Sequence, residues 1–239
     1  MLGYHTSAIC IAQPPSGKAI VVNSGMYESI VRRYGALLAG LDPLTDESRR
    51  RFGGQVRCGA GCDLCCHGLF DIGPLDALLL HHAWAALPAA ERDAMADRAG
   101  GLLGRLAGIA PGWAYPHDLC DLDSDEAADR ILETLGGVPC PVLAGANCSL
   151  YAARPFYCRV HGLKVRDSGG GEPIDTSCEL NFTAGVPATA AWPAHDFSAQ
   201  FSGESALLDE AGLDPDSRFL IPAVTTPRFG AWLAQLRQI

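Results

Sequence analysis

Four cysteines fall within nine residues of this chain, at Cys58, Cys62, Cys65 and Cys66, with Gly59 and Gly61 between the first two. An apolar core has no need of four thiols so close together, whereas a soft metal ion or an iron–sulfur cluster takes thiolates as its preferred ligands. If the segment is helical, the spacing i, i+4, i+7, i+8 puts all four sulfurs on one side. The glycines equally permit a tight loop that wraps a cluster and turns backbone N–H groups toward sulfur. In either form the run supplies three or four ligands. A second set, Cys140, Cys148, Cys158 and Cys178, has seven, nine and nineteen intervening residues, so the fold must bring its members together. Eight thiolates complete two four-ligand sites or one larger shared cluster. Cys10 and Cys120 lie outside this grouping and read as simple buried thiols.

A disulfide framework is the competing use of ten cysteines. It suits small secreted domains short of core, and 239 residues are enough for one domain with a real core. Neighbours such as Cys65 and Cys66 bridge each other only with strain. The N-terminus shows no positive leader before an apolar run, and no stretch of eighteen apolar residues occurs. The expectation is therefore a cytoplasmic protein with metal or redox chemistry and no membrane span. Hydrophobic residues make up 48% and charged residues 19%, the balance of a globular chain, and the net charge of −9 argues against a nucleic-acid binder. Arg49, Arg50 and Arg51 read as a solvated helix end.

The pattern of apolar residues predicts a mostly α architecture: an irregular single domain with minor β hairpins, organised around a cysteine-bound metal cluster. Residues 1–24 read as an N-terminal arm or short hairpin. Residues 25–239 form the single helical domain, with its cysteine core at 58–178. Helices are expected at 25–41, 74–87, 88–109 and 125–136, with shorter ones near 44–51, 204–212 and 228–238. Pro74 suits the first turn of its helix, and Asp123 with Glu126 resembles a capping box. A helical turn or two is expected from Cys148 to Arg154, stopped by Pro155. Residues 163–165 and 173–175 flank a hairpin tip at 167–171.

The cysteine pattern closely resembles that of the YkgJ-type cysteine-cluster proteins, also described as zinc- or iron-chelating. Their usual text is C-x2-C-x2-C-C, then C-P-F-L, then C-x-I-Y-x-x-R-P-x-x-C-R and a later cysteine. Here the corresponding residues are Cys58, Cys62, Cys65 and Cys66, then Cys140-Pro141-Val142-Leu143, then Cys148, Tyr151, Arg154, Pro155, Cys158 and Arg159. Cys178 stands for the later cysteine. The first gap is three residues where the family has two, and Glu179-Leu180 follow Cys178 where the family tends to have Pro-Gly. The likeness covers residues 58–178 and implies a bacterial, cytosolic metal-cluster protein. One branch of that family is linked to N-methylation of flagellin lysines, so a protein-lysine methyltransferase is an association it carries.

Arg57, Arg154 and Arg159 sit beside the cysteines, where guanidinium groups offset the negative charge of a thiolate-bound centre; Arg154 and Arg159 are the candidates to contact the cofactor. Adjacent Cys65 and Cys66 suit a multi-iron cluster better than two separate tetrahedra. An iron–sulfur cluster of the 4Fe–4S type is the expected cofactor, and zinc is the alternative. The run C-x3-C-x2-C is also the spacing of radical S-adenosylmethionine enzymes, but Cys66 adds a fourth thiol and no strand–helix alternation follows. The histidines contribute little. His161 is a candidate outer donor, and His81 and His82 read as packing or surface residues. The expected function is an iron–sulfur protein with a redox or modification-accessory role and a protein partner or electron donor. A zinc-stabilised protein-interaction module is the alternative.

Overall fold

The computed structural model describes residues 24–59, 61–162, 164–166, 174–175, 178–183 and 195–236. The N-terminal arm expected before Ser24, the hairpin tip at 167–171 and most of the tail to Trp192 lie outside those residues.

Helix α1 (Ser24–Ala39) forms because Tyr27, Ile30, Val31, Tyr34 and Leu38 recur at three- and four-residue spacing. All five are buried, while Glu28, Arg32 and Arg33 face water. Helix α2 (Asp42–Phe52) follows after a tight turn, with Arg49, Arg50 and Arg51 in its last turn. Their charge complements the partial negative charge of a helix C-terminus.

Helix α3 (Pro74–Ala85) is the centre of the molecule. Its first eight residues and Trp84 are buried, as expected of a helix apolar on all sides. It packs against α1 and against α7 (Ser198–Ala211). An acidic residue, Asp76, is among those it buries. Its Oδ1 accepts from the Tyr34 hydroxyl at 2.9 Å and the Phe156 amide at 3.1 Å. One carboxylate oxygen thus ties α1, α3 and α6 (Phe156–Val160) together.

Helix α4 (Ala89–Ile109) buries the stripe Met95, Ala99 and Leu106. With α5 (Asp125–Thr134) and α8 (Ile221–Val224) it frames a smaller core around Leu106, Ile131, Leu135, Leu220 and Ala223. The cap of α5 lies one residue beyond the expected one: Ser124 Oγ accepts from the Ala127 amide at 3.3 Å. Helix α9 (Pro227–Leu236) closes the chain against the main core through Phe229 and Leu233.

The strands are short. β1 (Asp71–Ile72) pairs antiparallel with β7 (Phe219–Leu220), in register Asp71↔Leu220 and Ile72↔Phe219. β2 (Leu143–Ala144) and β3 (Asn147–Cys148) make a tight hairpin. β4 (Lys164–Arg166) pairs antiparallel with β5 (Ile174–Asp175), the arrangement expected beside the hairpin tip, and parallel with β6 (His195–Asp196). The result is mostly helical with small sheets. Among the described residues no helix is long and apolar enough to cross a membrane.

Candidate metal centre

The Cys58–Cys66 run is a loop, not a helix. It leaves α2 through Gly53, which adopts the left-handed φ of 56° that a side chain resists. Two further turns follow, with the Cys62 amide bonded to Gly59 O at 3.1 Å and the Cys66 amide to Asp63 O at 2.8 Å. Gly61 between them has φ +87°. A single 3₁₀ turn over Leu64–Cys66 carries the last two thiols.

The second set reaches the first by main-chain pairing. The Cys140 amide donates to Cys66 O at 2.8 Å, beside a bridge between His67 and Pro139. The β2–β3 hairpin then returns the chain, with Leu143 opposite Cys148. The turn or two expected from Cys148 to Arg154 reduces to this strand end and a 3₁₀ turn at Tyr151–Ala153. Ser149 is bonded back to Val142 O at 3.0 Å, and strand pairing competes successfully with the local helix. Pro155 then caps α6, which carries Cys158. Cys178 comes from the segment beyond β5.

All eight cysteines line one cavity of about 90 Å³. Arg154, Arg159, His161 and Tyr151 share that lining with Leu64 and Phe70. All eight are free thiols. Cys120 stands apart from them and is disulfide-bonded, which corrects the expectation of a plain thiol; the described residues do not include its partner. Among the described residues, no three Cys, His, Asp or Glu side chains are arranged so as to hold a metal ion as they stand. The sulfurs surround a space and do not converge on a point.

The wall around Cys58 is closely fitted. Gly162, at φ +86°, lets the backbone approach so near that a Cβ there would collide with the Cys58 sulfur. Asn181 Nδ2 donates to Cys58 Sγ at 3.2 Å and to Gly162 O at 3.3 Å, while its Oδ1 accepts from the Arg57 amide at 2.8 Å. The Leu180 amide donates to Cys178 Sγ at 3.4 Å. N–H groups aimed at sulfur stabilise its thiolate form. Sequence reasoning missed Asn181, Gly162 and Asp42, because nothing in their spacing marks them.

Arg154 and Arg159 meet on one oxygen. Asp42 Oδ1 accepts from Arg154 Nη2 at 2.7 Å and from Arg159 Nη1 at 2.6 Å. Arg154 also donates to Tyr151 O, and Arg159 to Arg154 O and Ala152 O. The Arg154 guanidinium lies 4.0 Å from the centre of the Tyr151 ring. Both arginines are buried. Two guanidinium charges against one carboxylate leave this wall with a net positive charge. Their hydrogen bonds brace the loop between Tyr151 and Arg159, and their field reaches the cavity.

Burial pushes the Cys58 thiol up to about 11 and that of Cys140 to about 12. Cys148 is raised for the same reason. Cys65 is raised first by its hydrogen bond with Cys66 and then by burial. Cys158 opens onto the cavity, yet protein packs densely round its other sides and holds its thiol well above the ordinary range. Such thiols keep their protons until a cation displaces them. Outside the cavity, His81 is buried and bonded through Nδ1 to Val224 O at 2.8 Å, and His82 is exposed, as packing and surface residues should be.

No family model matches the chain, and no curated protein or solved structure is significantly similar to it.

Proposed function

We propose that this protein binds iron–sulfur through Cys58, Cys62, Cys65, Cys66, Cys140, Cys148, Cys158 and Cys178, as two clusters of the 4Fe–4S type with four thiolates each or as one larger shared cluster. The observation that carries the reading is the lining of one cavity by all eight thiols. A tetrahedral zinc site draws four sulfurs to about 2.3 Å from one point and leaves no space among them. Eight sulfurs around about 90 Å³ suit a polyatomic centre better. The N–H groups directed at Cys58 and Cys178, and the positive wall of Arg154 and Arg159, favour an anionic thiolate-bound group. When bound, such a group supplies one-electron transfer at a potential set by hydrogen bonds and burial.

The chain's own residues hold the sulfurs, brace the loop and offset charge, which fits an electron-transfer or modification-accessory role with a protein partner or electron donor. The likeness to the YkgJ-type proteins supports the same reading through its motif residues alone. Eight free thiols favour a reducing, cytoplasmic setting, with the disulfide at Cys120 the observation on the other side. The deciding experiment is metal and acid-labile sulfide analysis of anaerobically purified protein. Brown protein with iron and sulfide, bleached by air, is the expected result. Colourless protein with stoichiometric zinc overturns it in favour of the zinc-stabilised interaction module.

A further inference from the structure

A second cavity, of about 310 Å³, shares no lining residue with the one that the eight cysteines line, and lies between the starts of α1 and α3, the loop at 116–121, the loop after α7, and α9. Its volume falls in the range of small-molecule sites. One wall is aromatic. Phe219, Phe229 and Trp232 stand with ring centres 5.2 to 5.8 Å apart, and Tyr27 adds a fourth ring to the lining. The charged residues among those lining it are three aspartates, Asp118, Asp121 and Asp214, with no lysine, arginine or histidine among the described residues there.

The acids are held in place. Asp118 Oδ1 accepts from the Cys120 amide at 3.1 Å and the Arg218 amide at 2.8 Å, and Asp214 Oδ1 accepts from the Asp216 amide at 3.0 Å. Burial and the charge of Asp118 raise the Asp121 carboxyl above its usual range. A bare metal ion is a poor match: the described residues contain no three carboxylates arranged to grip one, and the cavity is several times too large for it. An organic cation satisfies both walls, its ammonium group near the carboxylates and its apolar body against the aromatic side chains.

We propose that this cavity is a binding site for a small organic ammonium ion. It is independent of the metal centre. The whole 239-residue chain is titrated by calorimetry and by tryptophan fluorescence with choline and phenethylammonium, and with 3,3-dimethylbutan-1-ol as the uncharged counterpart of choline. One-to-one binding of at least one cation, tenfold or more tighter than the alcohol, is expected. Trp232→Ala and Asp121→Asn are each expected to weaken it at least fivefold. Asp121 is at the surface, so its variant tests the site without disturbing the core. The proposal is overturned if neither cation binds, if the alcohol binds as well as choline, or if both Trp232→Ala and Asp121→Asn bind as the parent does.

Discussion

At the scale of single residues, the gathering of the eight cysteines round one cavity was foreshadowed by their density in the sequence. What fits them together was not legible. Asn181 spans Cys58 Sγ, Gly162 O and the Arg57 amide, partners far apart in sequence and invisible to any spacing rule. Asn181→Leu should strip those hydrogen bonds from a buried position and cost about 1–3 kcal/mol, with iron content falling at the same time. Denaturant unfolding and metal analysis on one preparation test both; full iron content in the variant would remove Asn181 from the site. Gly162→Ala is a sharper case. The added carbon meets the Cys58 sulfur at a backbone angle that alanine resists, so a loss of about 2 kcal/mol or more is expected. Ligand substitutions should act differently. Cys62→Ser and Cys148→Ser are each expected to lose metal, because each removes a thiolate and metal binding is coupled to the local order of its loop. Both variants keeping full metal content would refute the ligand set.

At the scale of elements, periodicity located α1, α3, α4, α5 and α9 to within a few residues, since each buries one stripe or, in α3, all of its first two turns. The start of α7 fell six residues earlier than expected, and α8 was not foreseen because four residues carry no period. The pairing of β1 with β7 joins residues about 150 apart along the chain; two-residue strands leave no alternation to read. The burial of Asp76 was equally hidden, and it makes a testable link between α1, α3 and α6. Burial raises its carboxyl to about 7, with the Tyr34 hydroxyl, the charge of Glu204, the Phe156 amide and Arg159 as lesser influences. An acid raised in the folded state binds its proton more tightly there than when unfolded. Its contribution is therefore complete below about pH 4 and is lost as pH rises toward 7, by at most about 1.4 kcal/mol per pH unit. Asp76→Asn keeps an oxygen for the Tyr34 and Phe156 donors and removes the titration. The variant should gain stability relative to the parent between pH 5 and 8 in denaturant titrations. A difference that stays flat with pH would show that Asp76 is ionised throughout.

At the scale of the molecule, the cysteine cavity lies where strong and weak structure meet. The main core runs through α1, α3, α7 and α9 and includes Val142, Leu150, Ala153, Phe156 and Val160. Cys140, Cys148 and Cys158 are therefore anchored by apolar packing whether or not a metal is bound. The first set lacks that support. From Arg57 to Gly68 no described residue is buried, and the segment is held by local turns, the Cys140–Cys66 main-chain bond and Asn181. Local stability follows buried contacts, so removal of the metal should loosen the two sets unequally. Hydrogen exchange read by mass spectrometry, on loaded protein and on protein stripped anaerobically by chelator, measures this directly. Amides at 57–67 and 178–183 should lose most of their protection on stripping, those at 150–160 should lose little, and those of α1 and α3 should not change. Uniform loss across all helices would mean that the metal is required for the whole fold. No change at 57–67 would mean that this loop is held without metal, and that the cavity it closes is not a metal site.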